Sequence, residues 1–193
     1  MSNNLDQFNI VIVGTGGQGQ ITLLQILAEA ASLEGYDVRT SELHGLSQRG
    51  GSVEVHIRFG RKTYSPMVAK GKADLILALE EQEALKGIYY ANSKTNFLIN
   101  KYIIPISLTK PLSEKEISDN LKKITKKVII IPATEICKEK LGTEVVAGIY
   151  LISFAAFKNL IPLKSESIQK TIKKIIPEKY LELNLKTFNL ARP

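Results

Sequence analysis

A short apolar run, Phe8-Asn9-Ile10-Val11-Ile12-Val13, breaks into Gly14-Thr15-Gly16-Gly17-Gln18-Gly19 and then enters a long apolar stretch over residues 21–33. That order dictates a strand, a tight glycine turn and a helix N-terminus. Continuous β-branched residues in the run suit a central strand covered on both faces. Residues 21–31 are apolar on most sides, so their helix belongs deep in the protein, and Gly35 is placed to end it. Residues 36–42 predict a second strand, which completes a β-turn-α-β unit of ordinary length. A chain that begins this way is an α/β domain whose functional end lies beside residues 14–20.

The turn satisfies G-x-G-x-x-G with Gly14, Gly16 and Gly19. Two readings are open. The backbone amides and the helix N-terminus can hold an anion, or the glycines merely permit a tight strand-to-helix crossing. In a dinucleotide site, an acid near the end of the second strand holds a ribose, and Glu42 occupies that place.

Length and composition narrow the classes. The 193 residues suit one domain over 1–193, and 44% hydrophobic with 23% charged residues describes a folded protein. No apolar run approaches the roughly 18 residues of a membrane span. The first residues carry neither a basic start nor an apolar signal core, so the expected location is cytoplasmic. A single cysteine, Cys137, excludes an internal disulfide and any cysteine-built cluster within this chain, and it reads as a semi-buried structural thiol. The net charge of +7 raises nucleic acid as a partner. The lysine pairs at 122–123, 126–127 and 173–174 lack interleaved aromatics, which favours solvated helix faces; an acidic partner or a polyanionic cofactor remains open.

The segment after the second strand is unusual. His44-Gly45-Leu46-Ser47-Gln48-Arg49-Gly50-Gly51 is polar and glycine-rich, and Arg49 offers a planar fork for phosphate or carboxylate. Gly50 and Gly51 would admit another backbone or a cofactor, although a plain surface turn is the competing reading. It leads into the clearest alternation in the chain. Val53, Val55, Ile57 and Phe59 share one face, and Glu54, His56 and Arg58 the other, which places His56 on a polar face. Residues 60–62 read as a turn and 63–65 as a short return strand, giving an antiparallel hairpin foreign to ordinary dinucleotide domains.

Further along, residues 73–79 predict a buried strand and residues 80–85 a helix with acids in its first turn. Short strands follow at 95–99 and 102–106. Ser113 with Glu116 forms a capping-box pattern opening a helix to about residue 124. Residues 128–131 are the last core strand. Pro132 opens a helix that Gly142 stops, Thr143 caps a helix over 144–157, and two more helices occupy 165–175 and 178–188. His44 and His56 lack metal-site spacing; no Ser-His-Asp order and no Walker sequence is present. An anion-competent turn without visible catalytic machinery fits a subunit that completes a partner's site.

With these residues in hand, the chain resembles the gamma-type family of 2-oxoacid:ferredoxin oxidoreductases, nearest to its indolepyruvate branch. The matching blocks are residues 14–19 with the following helix, residues 42–53, Tyr64-Ser65-Pro66, and residues 73–78. Asn100, Pro105 and residues 184–188 also match. The resemblance implies a Rossmann-like open, mostly parallel sheet with an inserted antiparallel hairpin and C-terminal helices. It implies oxidative decarboxylation of an aryl pyruvate with coenzyme A as co-substrate and ferredoxin as electron acceptor. Thiamine diphosphate and iron–sulfur clusters would lie in a large partner subunit, and none would be bound by this chain alone. Gly14, Gly16, Gly17, Gln18 and Gly19, with Ser47, Gln48, Arg49, Gly50 and Gly51, would form loops facing that partner, coenzyme A, or both. The alternatives are a stand-alone NAD(P)-binding oxidoreductase and a basic interaction module.

Overall fold

The computed structural model describes residues 5–44, 51–104 and 112–192. The strands are β1 (Gln7–Thr15), β2 (Asp37–His44), β3 (Ser52–Gly60), β4 (Leu75–Ala78), β5 (Asn96–Asn100) and β6 (Val128–Ile131). The helices are α1 (Gln20–Leu33), α2 (Glu114–Lys122), α3 (Ala133–Leu141), α4 (Ala147–Phe157), α5 (Ser165–Ile175) and α6 (Glu178–Leu190), with a 3-10 helix at Glu83–Tyr90. The strands form one sheet in the order β2-β3-β1-β4-β5-β6. β1, β4, β5 and β6 run parallel; β3 is antiparallel to both β1 and β2. The mostly parallel α/β sheet with an inserted antiparallel hairpin and C-terminal helices is therefore present.

β1 alternates between two cores, as a doubly covered strand must. Ile10 and Ile12 face α1 and the C-terminal helices, among Leu27, Ile57, Leu77 and Ile152. Val11 and Val13 face the 3-10 helix and α2, among Ile76, Phe97, Ile117 and Leu121. α1 buries Leu23, Leu24, Ile26, Leu27, Ala30 and Ala31, and α4 lies so close that a Cβ on Gly148 would stand 2.9 Å from Leu23 Cδ1.

Local signals are realised at their sites. Gly35 (φ 84°) and Gly142 (φ 74°) are left-handed beyond α1 and α3. Ser113 and Glu116 close the capping box of α2. α4 begins three residues later than its sequence pattern suggests, at Ala147.

Three expectations need correction. Residues 63–65 form no strand, because β1 and β2 occupy both edges of β3. Thr63 is instead fastened to the start of β2: its N–H donates to Asp37 Oδ2 at 2.8 Å and its hydroxyl to the Asp37 carbonyl at 3.2 Å. The hairpin is thus β2–β3. Residues 102–104 are not a strand, and 105–106 lie outside the described residues. The acids at 80–83 do not open an α-helix; a 3-10 helix begins at Glu83, and Glu80, Glu81 and Glu83 are buried. His56 is, as expected, on the face shared by Glu54 and Arg58; that face is covered, and His56 is fully buried.

The topology also disposes of the ribose-holding role for Glu42. In a dinucleotide fold the second strand lies directly beside the first. Here β3 stands between β1 and β2, so Glu42 pairs with Val55 and lies a further strand spacing of about 4.8 Å from the glycine turn.

Candidate functional site

The parallel strands end together, and the chain leaves them in opposite directions. From β1 it passes through α1 toward β2; from β4 it passes toward β5. The gap between β1 and β4 is therefore the switch point, where open α/β sheets leave a crevice at the carboxyl ends of their strands. A cleft of about 350 Å³ occupies it. One wall is the Thr15–Gly19 turn. Leu79, Asn100, Tyr102, Ile104 and Thr134 make the floor and the far side, and residues 144–148 close the third.

The turn is held by its own glutamines. Gln18 Oε1 accepts from Thr15 N at 2.8 Å, its Nε2 donates to the Leu79 carbonyl at 3.3 Å, and Gln20 Nε2 donates to the Thr15 carbonyl at 2.7 Å. A Cβ on Gly14 would stand 2.7 Å from Gln18 Oε1 and 2.8 Å from Gln20 Nε2. Gly14 thus makes room for two side chains rather than for a ligand. Gly17 and Gly19 differ: both take left-handed backbone, φ 101° and 81°, and a Cβ on either would meet nothing within 4 Å. Gly16 N donates to the Gly51 carbonyl at 2.8 Å, which joins the two glycine-rich segments at one rim of the cleft. Of the second segment, Ser47, Gln48, Arg49 and Gly50 lie outside the described residues.

Two helix N-termini lie at this cleft. α1 has Gly19 as its N-cap, with no side-chain cap and no acid in its first turn. α4 begins at the cleft with neither feature as well. Each leaves a positive dipole end that favours an anion or a carbonyl oxygen. Thr15 Oγ1, buried beside the turn, has no hydrogen-bond partner. The floor is fixed by Asn100, which is 2% exposed. Its Nδ2 donates to the Leu79 carbonyl at 3.1 Å and to Thr134 Oγ1 at 2.7 Å, while its Oδ1 accepts from Thr134 N at 3.1 Å. The ionisable groups among the described lining residues are Tyr102 and Glu144, and none of those residues is a histidine, lysine or cysteine. An apolar groove of about 590 Å³ continues from it past Gly19, Val145 and Gly148 to Ile176, Tyr180 and Leu183.

The acids beyond β4 are the residues that sequence reasoning missed. Glu80 Oε2 accepts from Glu83 N at 2.8 Å and Oε1 from Ile104 N at 3.3 Å. Burial pushes its carboxyl above the ordinary range, against the pull of those amides. Burial also raises Glu81, with Glu114 adding to the effect and Lys101 opposing it. Glu83 accepts from Ser52 Oγ at 2.5 Å and from Lys86 Nζ at 2.7 Å. The available signal was position: these acids follow the carboxyl end of a fully apolar strand without an intervening turn.

His56 lies away from the cleft. Its Nδ1 accepts from Val68 N at 3.2 Å, which puts the proton of the neutral ring on Nε2, 3.9 Å from Glu54 Oε2. Burial, then Arg58, lowers its pKa to about 4. Cys137 is fully rather than half buried, and burial raises its thiol to about 11, so it is neither a nucleophile nor a cluster ligand. Among the described residues no group of three or more His, Cys, Asp or Glu could hold a metal ion, and no helix is long and apolar enough to cross a membrane.

This is an α/β domain with a cleft at its switch point. Residues 9–193 match the family model described as pyruvate ferredoxin/flavodoxin oxidoreductase. The chain is 37% identical over 190 residues to the indolepyruvate oxidoreductase subunit IorB of Archaeoglobus fulgidus, covering 96% of this chain and 94% of that protein. The gamma subunit of a keto/oxoacid ferredoxin oxidoreductase from Geobacter sulfurreducens shares the fold at a TM-score of 0.69 and 24% identity, over 95% of both chains. The 2-oxoglutarate:ferredoxin oxidoreductase of Magnetococcus marinus does so at 0.71 and 18% identity, over 96% of this chain and 30% of that one. The chain belongs to the pyruvate ferredoxin/flavodoxin oxidoreductase family, as a gamma-type subunit of a 2-oxoacid:ferredoxin oxidoreductase.

Proposed function

We propose that this chain is the small subunit of an indolepyruvate:ferredoxin oxidoreductase acting on aryl pyruvates in the cytoplasm. It forms one domain over residues 1–193 and carries no cofactor. A large partner subunit holds thiamine diphosphate and iron–sulfur clusters, coenzyme A takes the acyl group, and ferredoxin takes the electrons. This chain closes the entry to the partner's thiamine site. Gly16, Gly17, Gln18 and Gly19, with Ser47, Gln48, Arg49, Gly50 and Gly51, form its facing wall, against the partner, coenzyme A, or both, and Gly14 supports that wall by making room for Gln18 and Gln20.

The observation that carries this reading is the bond from Gly16 N to the Gly51 carbonyl, 2.8 Å, at the rim of a cleft whose described lining holds no histidine, lysine or cysteine. A wall of that kind positions a ligand and leaves the chemistry to another subunit. Similarity to the Archaeoglobus fulgidus subunit, 37% identical, supports the aryl-pyruvate substrate.

The test is Arg49→Ala in the assembled complex. A raised coenzyme A requirement, weakened subunit association, or both are expected. Unchanged values for both remove the loop assignment. Tight binding of NAD(H) or NADP(H) by the purified chain would instead favour a stand-alone oxidoreductase.

A further inference from the structure

The acids at the carboxyl end of β4 hold both rims of the cleft, and their geometry is unlike that of a solvated turn. On one side, Glu80 Oε1 takes Ile104 N at 3.3 Å, and Glu81 N donates to the Tyr102 carbonyl at 2.9 Å; Tyr102 and Ile104 both line the cleft. On the other side, Glu83 takes the Ser52 hydroxyl at 2.5 Å. Ser52 follows Gly51, whose carbonyl holds Gly16 N at 2.8 Å. Glu80 and Glu83 are coupled through the Glu83 N–H, which donates to Glu80 Oε2 at 2.8 Å. Hydrogen bonds thus link Ile104, Glu80, Glu83 and Ser52, and the Gly51–Ser52 peptide carries the path on to the glycine turn. Glu83 is 8% exposed, and its second oxygen is tied to Lys86 at 2.7 Å, so the acid is fixed on both sides.

We infer that Glu83 is a positioning residue, which sets the Gly51–Ser52 end of the second glycine-rich segment against the Gly16–Gly19 turn. The inference rests on the reading above, in which those two segments form the wall that meets coenzyme A or the partner. A carboxylate accepting a hydroxyl makes a short, charge-assisted bond. It lies about one residue from the Gly51–Gly16 contact, so losing it releases the wall without touching the chemistry. A wall in its competent arrangement only part of the time lowers apparent affinity in proportion to that fraction, while turnover at saturation survives. The class of ligand affected is the co-substrate that enters between the subunits, not the oxoacid held at the partner's thiamine site.

The experiment uses the assembled two-subunit complex, with coenzyme A varied at saturating aryl pyruvate and ferredoxin. Ser52→Ala removes one hydroxyl and leaves the fold intact. Glu83→Ala removes the whole anchor. Both are expected to raise KM for coenzyme A by about 5- to 20-fold and to leave kcat within about twofold. The double variant is expected to be no worse than Glu83→Ala, because both changes break the same bond. Glu83→Gln, whose amide oxygen still accepts from Ser52, is expected to restore KM to within about threefold. An unchanged KM in Ser52→Ala and Glu83→Ala, or an equal fall in kcat, overturns the inference. Arg49→Ala measured beside them separates the two failures. If Arg49→Ala changes coenzyme A dependence or association and the other two variants do not, only the role of Glu83 is wrong. If all three leave both quantities unchanged, the wall assignment is wrong and takes the inference with it.

Discussion

The two faces of β3 are both covered, but they are covered by opposite means. Toward α1, Val53, Val55, Ile57 and Phe59 enter the larger core, and Phe59 packs against Phe8 and Tyr36 with ring centroids 5.5 and 5.4 Å away. Toward the 3-10 helix and residues 61–72, the strand presents Ser52, Glu54, His56 and Arg58. Ser52, His56 and Arg58 are each met by an individual partner, while Glu54 Oε2 and His56 Nε2 are buried without a hydrogen-bond partner. Ser52 meets Glu83, His56 meets Val68 N and the Tyr90 ring, and Arg58 reaches Asn9, Gln7 and the carbonyls of Ser65 and Met67. The apolar face is non-directional, so losses scale with volume. The polar face is directional, so one missing partner leaves another group buried and unpaired. The first face sets stability. The second face ties the sheet to the 3-10 helix and to residues 61–72.

The largest expected effect lies on the apolar face. Phe59→Ala should cost about 3–5 kcal/mol, read as a lowered denaturation midpoint with an unchanged slope. A cost below about 1 kcal/mol would mean that the face is not packed as described.

His56 gives the next effect, and it depends on pH. Its native pKa is held near 4 against an ordinary 6.5. Above pH 6.5 the ring is neutral in both states and its contribution is fully present. As pH falls from 6.5 toward 4 the unfolded chain takes up the proton first, so stability declines by at most about 3 kcal/mol and then levels. The charged neighbours are Arg58, which opposes protonation, and Glu54, which favours it; Tyr90 packs edge-on against the ring. His56→Gln should flatten this slope in thermal melts between pH 4.5 and 7. A variant as pH-dependent as the parent would place the transition elsewhere.

Arg58→Met, which keeps the stem but leaves the Ser65 and Met67 carbonyls without their donor, should cost about 2 kcal/mol. It should also speed proteolysis within residues 61–72 while leaving the rest of the chain protected. Ile57→Val on the opposite face should cost only about 1 kcal/mol and open no loop. If these two variants were equally susceptible to protease, the contrast between the faces would fail.

The parts legible in the sequence are those whose causes are local. The glycine turn, the capping box at Ser113 and Glu116, and the left-handed stops at Gly35 and Gly142 each depend on a few adjacent residues. The alternation of β3 was also legible, but not its place between β1 and β2, which is decided by pairings across the chain. That placement explains the error on this strand: a return strand at 63–65 presumed a free edge. Glu80, Glu81 and Glu83 were misread for a related reason: acids in a helical first turn and acids folded into a switch point look alike until their hydrogen-bond partners are known. In the candidate site, Gly16, Gly17 and Gly19 line the cleft. Gly14 serves its neighbouring glutamines, and Asn100 serves the floor.

The central claim is that this chain works as the wall of a composite site rather than alone. It is tested most directly by isolating the chain from its native host under gentle anaerobic conditions and identifying what comes with it. The account predicts a larger thiamine diphosphate- and iron–sulfur-containing subunit in fixed ratio, and aryl-pyruvate- and coenzyme A-dependent reduction of ferredoxin by the pair. A chain that elutes alone, while the large subunit reduces ferredoxin unaided at the same rate, would contradict it.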